Sequence, residues 1–328
     1  MTDLELRRIA IIGAGAMGTS LAAITSSHVE TVLVVRNDAL RKQISQHGIE
    51  LAGELQAAGK PIVVAQIDDL GEIHPIDLVF IATKTTSIAE VCAAMAPHLS
   101  ELPFLVSYQN GIEPGNTIIQ TLGTRRVLRM VLNYGARLVG DCPSDEPLQV
   151  EVPVHRPPHQ VGGEGADVTA FAAALAPLLA TMGLPTEFVL DIDGAVWQKG
   201  LLNAASNPVA ALVQTPLSDL MTSPAEPLIE RLLDEGIDVA AAAEIELGDG
   251  YRDKALSMMR AGSTHLPSMA EDVQAGRSTE ITQLNVQVAQ RGRALGIATP
   301  THDAVIDLIK TFDWRLGLRV PLRGPKAG

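Results

Sequence analysis

RRIAIIGAGAMG, residues 7–18, decides how the rest of the chain is read. Ile9 to Ile12 is a short apolar run stopped by glycine, which reads as a buried strand. Gly13, Gly15 and Gly18 follow in the spacing G-x-G-x-x-G, and a helical pattern runs from Ala16 to about Ser27. That spacing alone is a weak signal; between a strand and a helix it has a mechanism. The first glycine permits a tight turn, the second lets backbone approach a pyrophosphate, and the third allows close helix–strand packing. The helix N-terminus, with Ala16 and Met17 in its first turn, offers N–H groups to phosphates.

Further strands are read at TVLVVR (31–36), IVVA (62–65), DLVFIAT (77–83), FLVSYQNG (104–111), VLRMVLNYGARL (127–138) and LQVEVPV (148–154). Helical patterns separate several of them, at SIAEVCAAMAPHL and NTIIQTLG. Alternation of this kind predicts a parallel sheet covered by helices. HRPPHQVGGEG (155–165) reads as a proline- and glycine-rich connection, followed by a helix over 166–183. From about residue 191 strand signals vanish, and helices are expected at 194–213, 226–246, 251–260, 279–295 and 302–312. The predicted architecture is an α/β Rossmann-type dinucleotide-binding domain over 1–190 and an all-α domain over 191–328.

The composition narrows the function. Of 328 residues, 46% are apolar and 19% charged, which suits a folded protein with two cores. The formal net charge is -13 with no basic run, which argues against nucleic acid or an anionic membrane surface as partner. No window holds 18 apolar residues, so no spanning helix is expected and the cytoplasm is the expected location. Cys92 and Cys142 are too few for a disulfide framework. His155 and His159 are four apart, but Pro157 and Pro158 between them forbid a helix, and no metal site is expected. The helical domain offers a face for a homodimer, and the sequence leaves the oligomeric state open.

Candidate binding residues stand at strand ends. Arg36 closes the second strand, where NAD-preferring sites carry an acid; arginine suits a 2′-phosphate, so the expected cofactor is NADPH. Lys84 and Asn110 end two further strands, at the edge where parallel sheets bind ligands. In the second domain WQKGLLNAASNPVAAL (197–212) is an apolar helix that carries Lys199, Asn203 and Asn207 four residues apart. Steps of four keep the three on one stripe. Buried polar groups require a partner, from the protein, from water or from a ligand.

GAGAMG, Lys84 in IATK, Gln109-Asn110-Gly111, WQKGLLNAASNP and PSMAEDVQAGRSTEI (267–281) together resemble the ketopantoate reductase family over residues 8 to 312. The resemblance implies NADPH-dependent reduction of 2-dehydropantoate to pantoate. It implies Lys199 as the catalytic proton donor and Glu280 as a carboxylate that binds substrate or tunes that lysine. Asn203, Asn207 and Ser268 match substrate-binding residues. Asn110 matches the asparagine near the nicotinamide and the reacting carbonyl, and Arg36 and Lys84 the pair that grips the adenosine phosphate.

Three features depart from the pattern: Leu217 and His265 stand where asparagines are frequent, and 149–163 lacks the usual glycine-rich hairpin. They leave open a related reductase of another 2-oxo acid or an imine. A β-hydroxyacid dehydrogenase is disfavoured because QNGIEPG replaces its serine–glycine loop. A dinucleotide sensor without turnover would need neither Lys199 nor Glu280.

Overall fold

The computed structural model describes residues 4–73, 75–98, 103–140, 142–262 and 266–317. The chain divides into two compact units, Met1–Val196 and Trp197–Gly328. The first unit contains β1 (Arg8–Ile12), α1 (Ala16–Thr25), β2 (Glu30–Val34), α2 (Asp38–His47), β3 (Ile49–Gly53), β4 (Ala57–Gly59), β5 (Ile62–Val64) and β6 (Leu78–Ile81). It continues with α3 (Ile88–Met95), β7 (Phe104–Ser107), α4 (Pro114–Leu122), β8 (Val127–Val131), β9 (Tyr134–Val139), β10 (Leu148–His155), β11 (His159–Gly162), α5 (Ala166–Thr181) and β12 (Thr186–Phe188).

Eight strands form one sheet in the order β12-β11-β8-β7-β6-β1-β2-β5. β1 lies between β2 and β6 and is parallel to both, with Ile9 opposite Thr31 on one side and Leu78 on the other. After β1 the chain builds outward through β2 to β5, then returns to β6 on the other side of β1. The carboxyl ends of β1 and β6 therefore flank the switch point, where open sheets of this type bind ligands. Both faces of the sheet are covered. Ile9, Ile11, Leu33, Phe80 and Val106 belong to one core; Ala10, Ile12, Val32, Val34, Val79 and Ile81 belong to the other. This period of two explains why the strands read as unbroken apolar runs rather than alternating ones.

Three parts of the first unit differ from the sequence reading, and the first is the strand read over 127–138, which breaks into β8 in the eight-stranded sheet and β9 in a second one. β3 and β4 pair with β10 and β9 in a second, four-stranded sheet that the sequence did not reveal. They are short and rich in alanine and glycine, with only Ile49 and Leu51 marking a buried face. The expected connection 155–165 contains β11, which pairs antiparallel with β8 and parallel with β12. Pairing and burial override the low strand propensity of its neighbours: His159 and Val161 are fully buried. Gly162 lets β11 approach so closely that a Cβ there would lie 2.5 Å from the Val189 carbonyl oxygen.

Helix α6 (Ile192–Val213) begins in the first unit and continues into the second. The Asp191 carboxylate caps its first turn by accepting from Gly194 N–H at 2.9 Å. The second unit adds α7 (Leu217–Leu220), α8 (Glu226–Ala242), α9 (Tyr251–Arg260), α10 (Ser268–Gln274), α11 (Asn285–Leu295) and α12 (Pro300–Gly317), with no strand among its described residues. The helix expected from 279 begins only at Asn285, after a 3₁₀ turn at Ile281–Gln283. Thr279 is held away from helical geometry because its N–H and hydroxyl both donate to the Asp313 carboxylate, at 3.0 and 2.8 Å. Among the described residues no helix is long and apolar enough to cross a membrane.

Candidate functional site

The glycine loop joins β1 to α1 as its spacing predicts, and the protein itself requires two of the three glycines. Gly13 has φ +118°, and a Cβ there would lie 2.8 Å from the Ala82–Thr83 backbone at the end of β6. A Cβ on Gly18 would overlap the Gly13 carbonyl oxygen. Gly15 is different: it sits at φ -77°, ψ 179°, and a Cβ there would meet no protein atom within 4 Å. Neither backbone strain nor packing within the protein demands glycine at 15. Ala16 and Met17 follow as the first residues of α1.

The other candidates in this unit stand at neighbouring carboxyl ends. Arg36 follows β2, Lys84 follows β6 and Asn110 follows β7; the first two are exposed and Asn110 is half-buried. Strands lie about 4.8 Å apart, so the row from β7 through β6 and β1 to β2 covers about 14 Å of sheet edge. Asn37 serves the fold, its side chain accepting from Leu40 N–H at 3.0 Å as the cap of α2. Arg41 donates to the Val35 carbonyl at 3.2 Å and pairs with Asp38 at 2.5 Å.

Two polar groups at this edge escaped the sequence reading. The Thr83 hydroxyl and the Gln109 side-chain N–H₂ are buried, and neither has a hydrogen-bond partner among the described residues. The Gln109 carbonyl oxygen accepts from Ser107 Oγ at 2.9 Å, which fixes which way that amide points. Buried orphans of this kind are rare in folded proteins and carry information. Both lie in stretches quoted above for the family resemblance, IATK and Gln109-Asn110-Gly111, but nothing in those motifs marks their side chains as unpartnered.

In the second unit α6 presents Lys199, Asn203 and Asn207 in a row, as predicted. Lys199 and Asn203 are half-buried, and Asn207 is 8% exposed. Leu201, Ala204, Ala205, Val209 and Ala210 bury the rest of the helix. Burial pushes the Lys199 ammonium from its ordinary 10.5 down to about 8. The helix is tied in place at Gln198, the residue before Lys199. Tyr251 OH donates to the Gln198 carbonyl at 2.5 Å, and Gln198 Nε2 donates to the Leu247 carbonyl at 3.0 Å. Ser268 is the exposed first residue of α10, and Glu280 is half-buried just before the 3₁₀ turn.

The two histidines that the prolines keep off a helix meet across a strand reversal. His155 and His159 meet Nε2 to Nε2 at 3.2 Å, because β10 and β11 are joined by a sharp reversal at Pro157 and Pro158. Asn133 N–H donates to His159 Nδ1 at 2.9 Å, so Nε2 of that ring carries the proton. Among the described residues no group of three or more His, Cys, Asp or Glu could hold a metal ion.

Comparison with known proteins gives this geometry a family. Residues 9–147 match Ketopantoate reductase PanE/ApbA, and residues 191–313 match Ketopantoate reductase PanE/ApbA C terminal. The chain belongs to the ketopantoate reductase family. A 2-dehydropantoate 2-reductase of Aquifex aeolicus is 25% identical over 308 residues, covering 92% of this chain and 95% of that protein. One of Archaeoglobus fulgidus is 25% identical over 309 residues, covering 94% and 98%. The crystal structure of a PanE/ApbA family ketopantoate reductase from Ralstonia eutropha JMP134 superposes with TM-score 0.82 at 25% identity, over 94% of this chain and 99% of the other. D-mandelate dehydrogenase with NADH and anilino(oxo)acetate shares the fold, with TM-score 0.82 at 22% identity over 94% and 99%.

Of the departures from the ketopantoate reductase pattern, Leu217 is the half-buried first residue of α7, with Gly262 against its side chain. His265 lies outside the described residues. The 149–163 segment holds most of β10 and all of β11, which lie in different sheets.

Proposed function

We propose that this ketopantoate reductase family member reduces 2-dehydropantoate to pantoate with NADPH, serving pantothenate and coenzyme A synthesis. The carrying observation is a lysine on an apolar helix whose ammonium is lowered to about 8. A normal lysine is too weak an acid to protonate an alkoxide well near neutral pH; one near 8 is matched to the task.

Residues 1–190 act as the cofactor domain and 191–328 as the substrate domain. Gly13, Gly15, Ala16, Met17 and Gly18 hold the pyrophosphate against the N-terminus of α1. Arg36 and Lys84 grip the adenosine 2′-phosphate end. Asn110 orients the nicotinamide end, where the Thr83 hydroxyl and the Gln109 amide supply unused donors. The open space beside Gly15 supports close approach of a ligand there. When bound, the reduced nicotinamide supplies a hydride to the ketone carbon.

Lys199 stabilises the negative charge that grows on the ketone oxygen, then transfers its proton to that oxygen. The hydride and this proton together convert ketone to alcohol. Asn203 and Asn207 orient the substrate's polar groups without adding a repulsive charge. Ser268 donates to its carboxylate, and Glu280 binds the substrate or tunes Lys199. The reading places the enzyme in the cytoplasm, with the helical domain as the face of a homodimer.

Leu217 favours a second reading in which the same machinery reduces a more apolar 2-oxo acid. NADPH oxidation measured with ketopantoate, a panel of other 2-oxo acids and NADH as control decides between them. Turnover selective for ketopantoate supports the first reading, and turnover of another acid alone supports the second. No oxidation with any acid would leave a dinucleotide sensor.

A further inference from the structure

Pro208 lies inside α6, one residue after Asn207. Proline has no N–H, so the helix cannot pair the carbonyl four residues earlier, which belongs to Ala204. Ala204 is fully buried, where an unpaired carbonyl is costly. The missing donor comes from another helix: Asn285 Nδ2 donates to the Ala204 carbonyl at 2.8 Å. That acceptor fixes the amide's orientation, since a flip would set oxygen against oxygen.

Asn285 is itself held. Its Nδ2 also lies 3.1 Å from His302 Nδ1, and His302 Nε2 lies 2.9 Å from the Leu232 carbonyl. His302 Nε2 therefore carries the proton, and Nδ1 accepts from Asn285. Burial lowers the pKa of His302, which keeps the ring neutral and able to accept. Asn285 and His302 are both fully buried. The chain of bonds crosses α6, α11, α12 and α8.

Asn285 Oδ1 is buried without a partner among the described residues, so this amide is placed for its donors alone. Asn285 is also the first residue of α11, separated from Glu280 only by the 3₁₀ turn and Leu284. The bond thus ties the segment that carries Glu280 to the helix that carries Lys199, Asn203 and Asn207. Resting on the reductase reading above, we propose that Asn285 is a positioning residue, and that the carbonyl exposed by Pro208 is the point on which it registers Glu280 with the Lys199 helix.

The test compares wild type with Asn285→Leu, Pro208→Ala and the double variant, with Lys199→Ala alongside. Asn285→Leu keeps the size and removes the donors. It should lower both Tm and kcat, the latter roughly 10- to 100-fold, as expected for a shift of about 1 Å in a catalytic group. The KM for NADPH should stay near wild type. In the double variant the Pro208→Ala change restores a backbone N–H that satisfies the Ala204 carbonyl within the helix, so Tm should recover while kcat stays low. Recovery of kcat along with Tm would overturn the proposal, because Asn285 would then only satisfy a carbonyl. Wild-type kcat in Asn285→Leu would overturn it too. Normal turnover in Lys199→Ala would instead bring down the reading of Lys199, and this inference with it. Titration of ¹³C-methylated Lys199 by NMR gives a second readout without substrate. Its midpoint should shift from the wild-type value in both Asn285→Leu and the double variant, and an unmoved midpoint in both would count against the proposal.

Discussion

Gly15→Ala separates a glycine that a ligand needs from one that the fold needs. Gly15 has φ -77° and ψ 179°, a conformation open to alanine, and the added methyl would meet no protein atom within 4 Å. Reduced freedom of the unfolded chain should favour the variant by about 0.4–1 kcal/mol. Alanine is the poorer N-cap for α1, at a cost of roughly 0.5–1 kcal/mol. These effects cancel to within about 1 kcal/mol, so Tm should move by no more than a few degrees. Binding should respond differently. A methyl forced against a pyrophosphate costs about 1–3 kcal/mol by analogy with overpacking, or roughly 5- to 150-fold in Kd. The assay is NADPH fluorescence titration beside thermal unfolding, with Gly18→Ala as control. That control should lose stability outright, because its Cβ overlaps the Gly13 carbonyl oxygen. Wild-type NADPH affinity in a folded Gly15→Ala variant would refute the placement of a pyrophosphate at this loop.

Four further outcomes are expected. Arg36→Ala should raise the Kd for NADPH by roughly tenfold or more, the scale of a charge-assisted bond, and leave NADH nearly unchanged; titration with both cofactors checks it. Lys199→Ala should lower kcat by roughly 10²–10⁴-fold while NADPH still binds. In the wild type kcat should fall as pH rises through about 8, because Lys199 must hold its proton to donate it. Lys199→Met should raise Tm at neutral pH while lowering kcat as Lys199→Ala does. The folded lysine titrates near 8 and the unfolded one near 10.5, so its burial cost is fully present below about 8 and relieved as pH rises towards 10.5. That cost is on the order of 1–3 kcal/mol, and thermal unfolding across this window shows whether it exists.

Residues 7–18 and 197–212 carried most of what the sequence determined. Their information is local: glycine spacing against a strand and a helix, and a polar row at steps of four on an apolar helix. Local chemistry fixed β1, the loop, α1 and the face of α6, and the same periodicity placed β2, β5, β6, β7 and β8. What it could not supply were elements whose conformation depends on distant partners. β3 and β11 form because β10, β8 and β12 offer edges to pair with, and β4 because β3 does; their own alanines, glycines and neighbouring prolines give no strand signal. Thr279 stays out of a helix because Asp313, 34 residues on, takes its donors. The same holds for the site. Type and spacing picked out Lys199 and the glycines. The orphaned donors of Thr83 and Gln109, and the Asn285 bond to the carbonyl left by Pro208, exist only once separate parts of the chain pack together. Whether a buried polar group is satisfied is a property of its surroundings in three dimensions, and that is what the tertiary structure decided.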